Sequence, residues 1–221
     1  MDPSPRPPIE PVPYFECYAK RPTDEAQRFE ELVYRDRWRL LAGARRVLDI
    51  GFGGGGFIDA APPGVFVRGI DTDEAAVASR PGVGALGDAE NLPFEEAEFD
   101  AVHAAHVIEH LWHPERLVAE CARVLAPGGR LVVATPDIER YGFRFWVDHT
   151  HVRPFTTASL ATLLRMYGFR VERCQHGLFH ETRAELLLVR SLNVSVERRY
   201  SIRAWLGKRF GGELVMLGRL S

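Results

Sequence analysis

Val47-Leu48-Asp49-Ile50-Gly51-Phe52-Gly53-Gly54-Gly55-Gly56-Phe57 is an apolar strand carrying one acid that breaks directly into a glycine-rich turn. Glycine has no Cβ, so such a turn can take positive φ and leave a ligand room against bare peptide. It also opens the next helix with unpaired N–H groups facing the site. Twenty positions after Gly51, the stretch Val65-Phe66-Val67-Arg68-Gly69-Ile70 ends in Asp71. An acid at a second strand end suits the two hydroxyls of a ribose.

Strand and helix then alternate along the chain. Residues 46–50, 66–70, 84–86, 99–104 and 130–135 read as strands, and segments near 56–61, 73–79, 114–125 and 157–167 read as helices. This order predicts an α/β fold, a Rossmann-like doubly wound sheet that is mostly parallel, with helices on both faces and ligands at the carboxyl ends of its strands. Pro127-Gly128-Gly129 reads as a turn that stops the helix before it and admits the strand after it, without chemistry. Residues 169–174 and 213–217 read as two further strands, with helical composition over 181–192 between them. Before the first strand, Thr23 and the apolar residues to Leu41 suggest a capped helix over 23–42, either covering the ligand or packing on the sheet.

Gly51, Gly53 and Gly56 satisfy the G-x-G-x-x-G spacing of dinucleotide sites, a weak signal in so glycine-rich a loop. Asp49 argues for a different ligand, because a carboxylate there repels a pyrophosphate and attracts a cation. Gly87-Asp88-Ala89-Glu90-Asn91-Leu92-Pro93-Phe94 adds an acid placed to accept from an adenine amino group. These features favour S-adenosylmethionine over NAD. The Tyr-x-x-x-Lys pair of short-chain oxidoreductases does not occur in the chain.

The segments VLDIGFGGGG, GID, GDAENLPF, FDAVHAAHVIEHL and RVLAPGGRLVVATP follow one another in this order. Together, over roughly residues 43 to 170, the chain resembles the class I S-adenosylmethionine-dependent methyltransferases, in the small-molecule branch that includes ubiquinone-type O-methyltransferases. The resemblance implies a seven-stranded sheet whose last strand, 213–217, runs antiparallel between the fifth and sixth. It implies S-adenosyl-L-methionine as methyl donor and S-adenosyl-L-homocysteine as product. Asp49 and the backbone of Gly51, Gly53 and Gly55 would border the methionine part, Asp71 and Thr72 the ribose, and Asp88 and Ala89 the adenine. His106 would stand beside the cofactor as well.

With 221 residues and 46% hydrophobic content, the chain is expected to form one domain over 23–221, preceded by a flexible proline-rich arm over 1–22. Within the domain, 43–136 is the expected cofactor-binding core and 137–221 the substrate-side loop and C-terminal part. A net charge of -2 offers no general field for a polyanion, so nucleic acid is not an expected partner. Cys17, Cys121 and Cys174 are widely spaced and suit a reducing cytoplasm better than a disulfide framework or a thiolate zinc site. The start of the chain is no secretory signal, and a soluble cytoplasmic protein is expected. The basic and aromatic segment 194–209 could touch a membrane, though a solvated helix is the plainer reading.

Methyl transfer needs mainly an aligned nucleophile, and positioning supplies about 7–11 kcal/mol. A base adds about 10²–10⁴-fold, and histidine is best poised for it near neutrality. His103, His106, His110 and His113 lie in or after the fourth strand, and His149 and His151 follow the fifth in Trp146-Val147-Asp148-His149-Thr150-His151-Val152-Arg153-Pro154-Phe155. That segment resembles a substrate-side loop of small-molecule and glycan methyltransferases. His149 or His151, oriented by Asp148, is the expected base, with His106 as a further catalytic candidate. Arg153 would pair with an anionic substrate group or tie the loop to Glu109.

His106-Val107-Ile108-Glu109-His110 also aligns with a stretch in which ubiquinone-type O-methyltransferases hold a divalent ion through Glu, Glu and His. Here His106 replaces the first glutamate, many relatives keep the Glu-His pair without metal, and no metal is assigned. The Asp/Asn-Pro-Pro-Tyr/Phe tetrapeptide of amino-methylating enzymes is missing after the fourth strand, where His103-Ala104-Ala105-His106 stands. The expected acceptor is therefore a hydroxyl of a sugar, glycan or secondary metabolite. N-methylation of a small amine, or a module that binds the cofactor without turnover, are the alternatives, and an NAD-dependent oxidoreductase ranks behind both.

Overall fold

Val47 to Ile50 of β1 (Arg46–Ile50) are all buried, Val47 in the core on one side of the sheet and Leu48 and Ile50 in the core on the other. An apolar run sealed on both faces is what a central parallel strand requires. The computed structural model describes residues 24–177, 195–202 and 212–221. The expected arm over 1–22, Cys17, the helical segment 181–192 and much of 194–209 lie outside the described residues.

Seven strands form one sheet in the order β3-β2-β1-β4-β5-β7-β6, with β2 (Phe66–Asp71), β3 (Gly84–Leu86), β4 (Phe99–Ala105), β5 (Leu125–Pro136), β6 (Phe169–Gly177) and β7 (Glu213–Leu220). The pairs among β1 to β5 are parallel, and β7 runs antiparallel between β5 and β6, as the resemblance implied. On one face, Trp38 of α1 (Asp24–Leu40) and Phe57 of α2 (Gly56–Asp59) stack at 4.3 Å over Val47, Val67, Ala101 and Val132. On the other face, Leu117, Val118 and Cys121 of α4 (Pro114–Val124) and Leu160 and Leu164 of α6 (Thr157–Met166) cover Leu48, Val102 and Leu131. Burial holds the Cys121 thiol well above its ordinary range, so it packs as a small hydrophobe.

The helix ends follow local chemistry. Asp73 caps α3 (Glu74–Ala78) by accepting from the N–H groups of Ala75 and Ala76, and Thr156 and Ser159 form a reciprocal capping box on α6. Pro114, at the first turn of α4, has no N–H to leave unsatisfied.

The expected boundary near residue 125 needs correction. Leu125 is already paired with Phe99, and the strand spans Leu125–Pro136 rather than 130–135. The register jumps from Phe99/Leu125 to Ala101/Arg130, so Pro127-Gly128-Gly129 bulges out of a strand instead of separating helix from strand. Gly128 sits at φ +75, which explains why the bulge reads as a turn in the sequence. Parallel β1 to β5 bring the loops that follow them to one edge of the sheet. Among the described residues no helix is long and apolar enough to cross a membrane.

Candidate functional site

A cavity of about 380 Å³ opens at the carboxyl ends of β1, β2 and β4. Its wall takes Gly51 and Gly53 from the turn after β1, Asp71 and Thr72 from β2, Asp88 and Ala89 from the loop after β3, and His106 and His110 from the loop after β4. Gly51 stands at φ +69, and a Cβ on it would lie 2.4 Å from Cγ2 of Val107, another wall residue. The turn therefore needs glycine both for its backbone and for its closeness to the opposite wall.

Asp71 is fixed by the same turn. Its Oδ2 accepts from the N–H of Gly53 at 2.8 Å and its Oδ1 from the N–H of Asp73 at 3.0 Å. Asp88 closes its own loop by accepting from the N–H of Glu90 at 2.8 Å. Between these acids the wall is apolar, built from Ile50, Ile70, Ala76 and Ala89. An apolar slot with a carboxylate at either end fits a nucleoside, whose base has flat apolar faces and a hydrogen-bonding edge and whose ribose donates hydroxyls.

Asp49 lies elsewhere. It is buried behind the turn, where the His103 Nδ1–H donates to its Oδ1 at 2.7 Å and the His103 ring stacks on Phe57 at 3.9 Å. Burial pushes its carboxyl up, and the His103 bond opposes that shift. Asp49 and Gly55 thus support the turn from outside the cavity wall.

His106, at φ +55, is held between two carboxylates. Nδ1–H donates to Glu109 at 3.1 Å and Nε2–H to Glu213 at 3.2 Å, while Glu213 also pairs with Arg37 of α1 at 2.6 Å. Glu109 accepts in addition from the Thr135 hydroxyl at 3.0 Å. Burial alone would lower the pKa of His106, but the two carboxylates outweigh it and carry the imidazole up to about 9. Burial would likewise raise both acids, yet His106 holds Glu109 below its ordinary value, and Arg37 and His106 hold Glu213 down to about 2. At neutral pH His106 is a cation with both N–H groups committed to carboxylates. It does not have the lone pair that a base needs.

Its neighbour His110 is arranged in the opposite sense. The Thr150 hydroxyl donates to Asp148 Oδ1 at 2.6 Å, so its oxygen must accept from His110 Nδ1 at 2.9 Å. The Thr150 carbonyl accepts from the same nitrogen at 3.3 Å. Both contacts put the ring proton on Nδ1 and the lone pair on Nε2. Burial lowers the pKa of His110, keeping the ring neutral.

The expected orientation of His149 or His151 by Asp148 takes a different form, since Asp148 holds Thr150 through both hydroxyl and N–H. His149 is exposed and is not among the wall residues. His151 donates from Nδ1 to the Phe145 carbonyl at 2.7 Å, and its ring lies 4.8 Å from that of His110. The Arg153 guanidinium donates to the Trp112 carbonyl at 3.1 Å, and it is the N–H groups of Val152 and Arg153 that tie this loop to the Glu109 carbonyl.

Glu109, His110 and His151 bring ligand atoms within 4.8 Å of one another and could hold a divalent ion. His106, at the position where the resemblance has a glutamate ligand, is occupied instead by its two acids. Thr150, Arg37 and Glu213 were not singled out from the sequence, and His110 appeared there only as one of a cluster. The contacts of Thr150 with His110, of Glu213 with His106 and of Arg37 with Glu213 join positions 40 or more residues apart along the chain, beyond the reach of any local motif.

The methyltransferase-domain family matches residues 48–133, the stretch that supplies the glycine turn, Asp71, Asp88 and the His106–His110 loop. A probable S-adenosylmethionine-dependent methyltransferase of Mycolicibacterium smegmatis is 38% identical over 161 residues, 69% of this chain and 62% of that protein. A malonyl-[acyl-carrier protein] O-methyltransferase of Methylococcus capsulatus is 34% identical over 154 residues, 59% of this chain and 56% of the other. The chain thus spans less than two thirds of the length of these relatives. A crystal structure of a SAM-dependent methyltransferase from Archaeoglobus fulgidus shares the fold, with a TM-score of 0.72 at 22% identity over 94% of this chain and 100% of that one. With the strand order, the glycine turn and the paired acids of the cavity, these likenesses show that the chain carries a class I S-adenosylmethionine-dependent methyltransferase domain.

Proposed function

We propose that the protein transfers a methyl group from S-adenosylmethionine to a hydroxyl oxygen of a small-molecule or glycan acceptor in the cytoplasm, with His110 as general base. The observation that carries this reading is the hydrogen-bonded chain of His110 and Thr150, both at the cavity wall, and Asp148 behind them. The turn at Gly51 and Gly53, with Asp71, Thr72, Asp88 and Ala89, would hold the adenosine part of the cofactor. Bound there, the cofactor supplies an electrophilic methyl group and keeps the C–S bonding electrons as it becomes the thioether product.

The residues of the chain handle the proton. As the acceptor oxygen forms its new bond to carbon, its proton passes to Nε2 of His110. The Nδ1 proton stays with Thr150, and the nearby charges of Glu109 and Asp148 favour the imidazolium that results. His106 keeps a fixed positive charge in the wall and takes no part in proton transfer. The relative named as an O-methyltransferase supports oxygen over nitrogen as the acceptor.

The test is transfer of labelled methyl from S-adenosylmethionine to a panel of hydroxylated and amino acceptors, followed by His110→Ala. The proposal expects turnover on a hydroxylated acceptor and a fall of about 10²–10⁴-fold in kcat with cofactor affinity retained. Unchanged turnover in the variant would remove His110 from the mechanism. Cofactor binding with turnover on no acceptor would favour a binding module.

The grouping of Glu109, His110 and His151 favours a second reading, in which a divalent ion polarises the acceptor. Chelator treatment separates the two. Lost turnover restored by added magnesium or manganese supports the ion, and turnover indifferent to chelator supports the base.

A further inference from the structure

Phe143 is 94% exposed, Val147 84% and Trp146 52%, all on the 3-10 turn Gly142–Val147 that follows α5 (Ile138–Tyr141). Trp112, on the loop after β4, is 68% exposed. Single exposed apolar residues are ordinary on a protein surface, but four large ones on two adjoining loops are not.

The two loops are fastened together at the cavity. Arg153 donates to the Trp112 carbonyl, and the buried Phe145 ring lies 4.9 Å from Trp146 and 4.6 Å from His151, which in turn meets His110 at 4.8 Å. The exposed aromatics therefore stand around the rim that His110 and Thr150 line from inside. Phe145 roots the turn in the core while Phe143 and Val147, two positions to either side, have little against them among the described residues.

The shape and the charge of this surface select what it meets. A convex turn is a plug, and a protein partner would have to provide a matching socket, whereas a bilayer receives such side chains wherever they land. From Arg140 to Arg153 the chain carries three arginines against one acid, Asp148, although the whole chain is at -2. Arg144 lies 5.5 Å from the Tyr141 ring beneath it. Tryptophan beside arginine is the chemistry of the headgroup level of an anionic membrane.

We propose that the turn Gly142–Val147, with Trp112, seats the protein on an anionic phospholipid surface and sets the cavity mouth at the interface. The acceptor it would serve is an amphiphile whose hydroxyl lies at headgroup level while its apolar part stays in the bilayer. Only that last step rests on the methyltransferase reading of His110.

The experiment is co-sedimentation of the full chain with vesicles of phosphatidylcholine alone and of phosphatidylcholine with phosphatidylglycerol, alongside tryptophan emission. The expected result is binding to the anionic vesicles, weakened by salt, with emission shifted to the blue. The double variant Phe143→Ser, Val147→Ser should lose about tenfold or more in partitioning, since it removes two large apolar side chains from the bilayer contact. Its melting temperature and its affinity for S-adenosylhomocysteine should stay as in the parent, which shows the fold and the cofactor site intact. Wild-type protein that stays in the supernatant, or vesicle binding that the double variant keeps, overturns the proposal. So does self-association that the variant abolishes in the absence of vesicle binding. Methylation of a water-soluble acceptor is read separately, so failure of docking and failure of the proposed activity remain distinct.

Discussion

His106 and His110 stand four positions apart, and their surroundings give them opposite duties. Two carboxylates keep His106 charged, while burial keeps His110 neutral with its lone pair on Nε2. If His110 is the base, kcat/KM rises with pH as the ring loses its proton, with a midpoint below about 6.5, and a plateau follows through neutrality. A rate that instead climbs across pH 8 to 9, given the value of about 9 for His106, would assign the base to that residue. Thr150→Val preserves shape but removes the hydroxyl that sets the His110 tautomer. Its expected effect is about tenfold or more on kcat with cofactor affinity unchanged, read by steady-state kinetics and calorimetry. Gly51→Ala should weaken cofactor binding and cost about 1 kcal/mol or more of stability, because the new methyl meets Val107 and φ is positive. Gly51 and Asp71 were legible in the sequence because a strand followed by a glycine turn announces its own geometry. His110 was not, because what distinguishes it is a hydroxyl 40 residues away, contributed by another loop.

At the scale of elements, the first helix is tied to the last strand and to the site by buried charge. Arg37 of α1 meets Glu213 of β7, and Glu213 meets His106 at the end of β4. Arg37→Ala would leave Glu213 buried with one partner fewer and is expected to destabilise by about 3–5 kcal/mol. At about 2–4 °C per kcal/mol for a chain of this size, thermal unfolding should show a fall of roughly 10 °C. A change within a degree would mean that solvent reaches the pair. The alternation of strand and helix could be read from the apolar runs, clearest at β1 and β4 where the strand is buried on both faces, whereas the place of β7 between β5 and β6 came only with the resemblance. The start of β5 could not, because Pro127-Gly128-Gly129 has the composition of a turn, and only the pairing of Leu125 with Phe99 makes it a bulge within β5. The ion pairs across α1, β4 and β7 were equally unreadable, being long-range by nature.

For the whole molecule, the same charges set how stability depends on pH. His106 has its folded pKa raised to about 9, so its contribution is complete below the ordinary value near 6.5 and is lost as pH rises through 9. Glu213 is lowered to about 2, and its contribution, complete above the ordinary carboxylate value near 4.5, is lost as pH falls toward 2. Glu109 shifts in the same direction as Glu213. Urea unfolding should therefore find the network's support greatest between about pH 4.5 and 6.5 and declining from there to pH 9, a decline that His106→Gln would flatten.

The cavity at the carboxyl edge of the sheet is expected to receive S-adenosylmethionine. The most direct measurement is thermal unfolding of the protein with S-adenosylmethionine, S-adenosylhomocysteine and NAD, each at about a hundred times a micromolar dissociation constant. Binding at that excess stabilises the native state by about 2.7 kcal/mol, or roughly 5–10 °C here. The expected result is this shift with the first two compounds, its loss in Asp71→Ala, and none with NAD. A shift with NAD alone, or none with any of the three, would mean that the cavity is not an S-adenosylmethionine site.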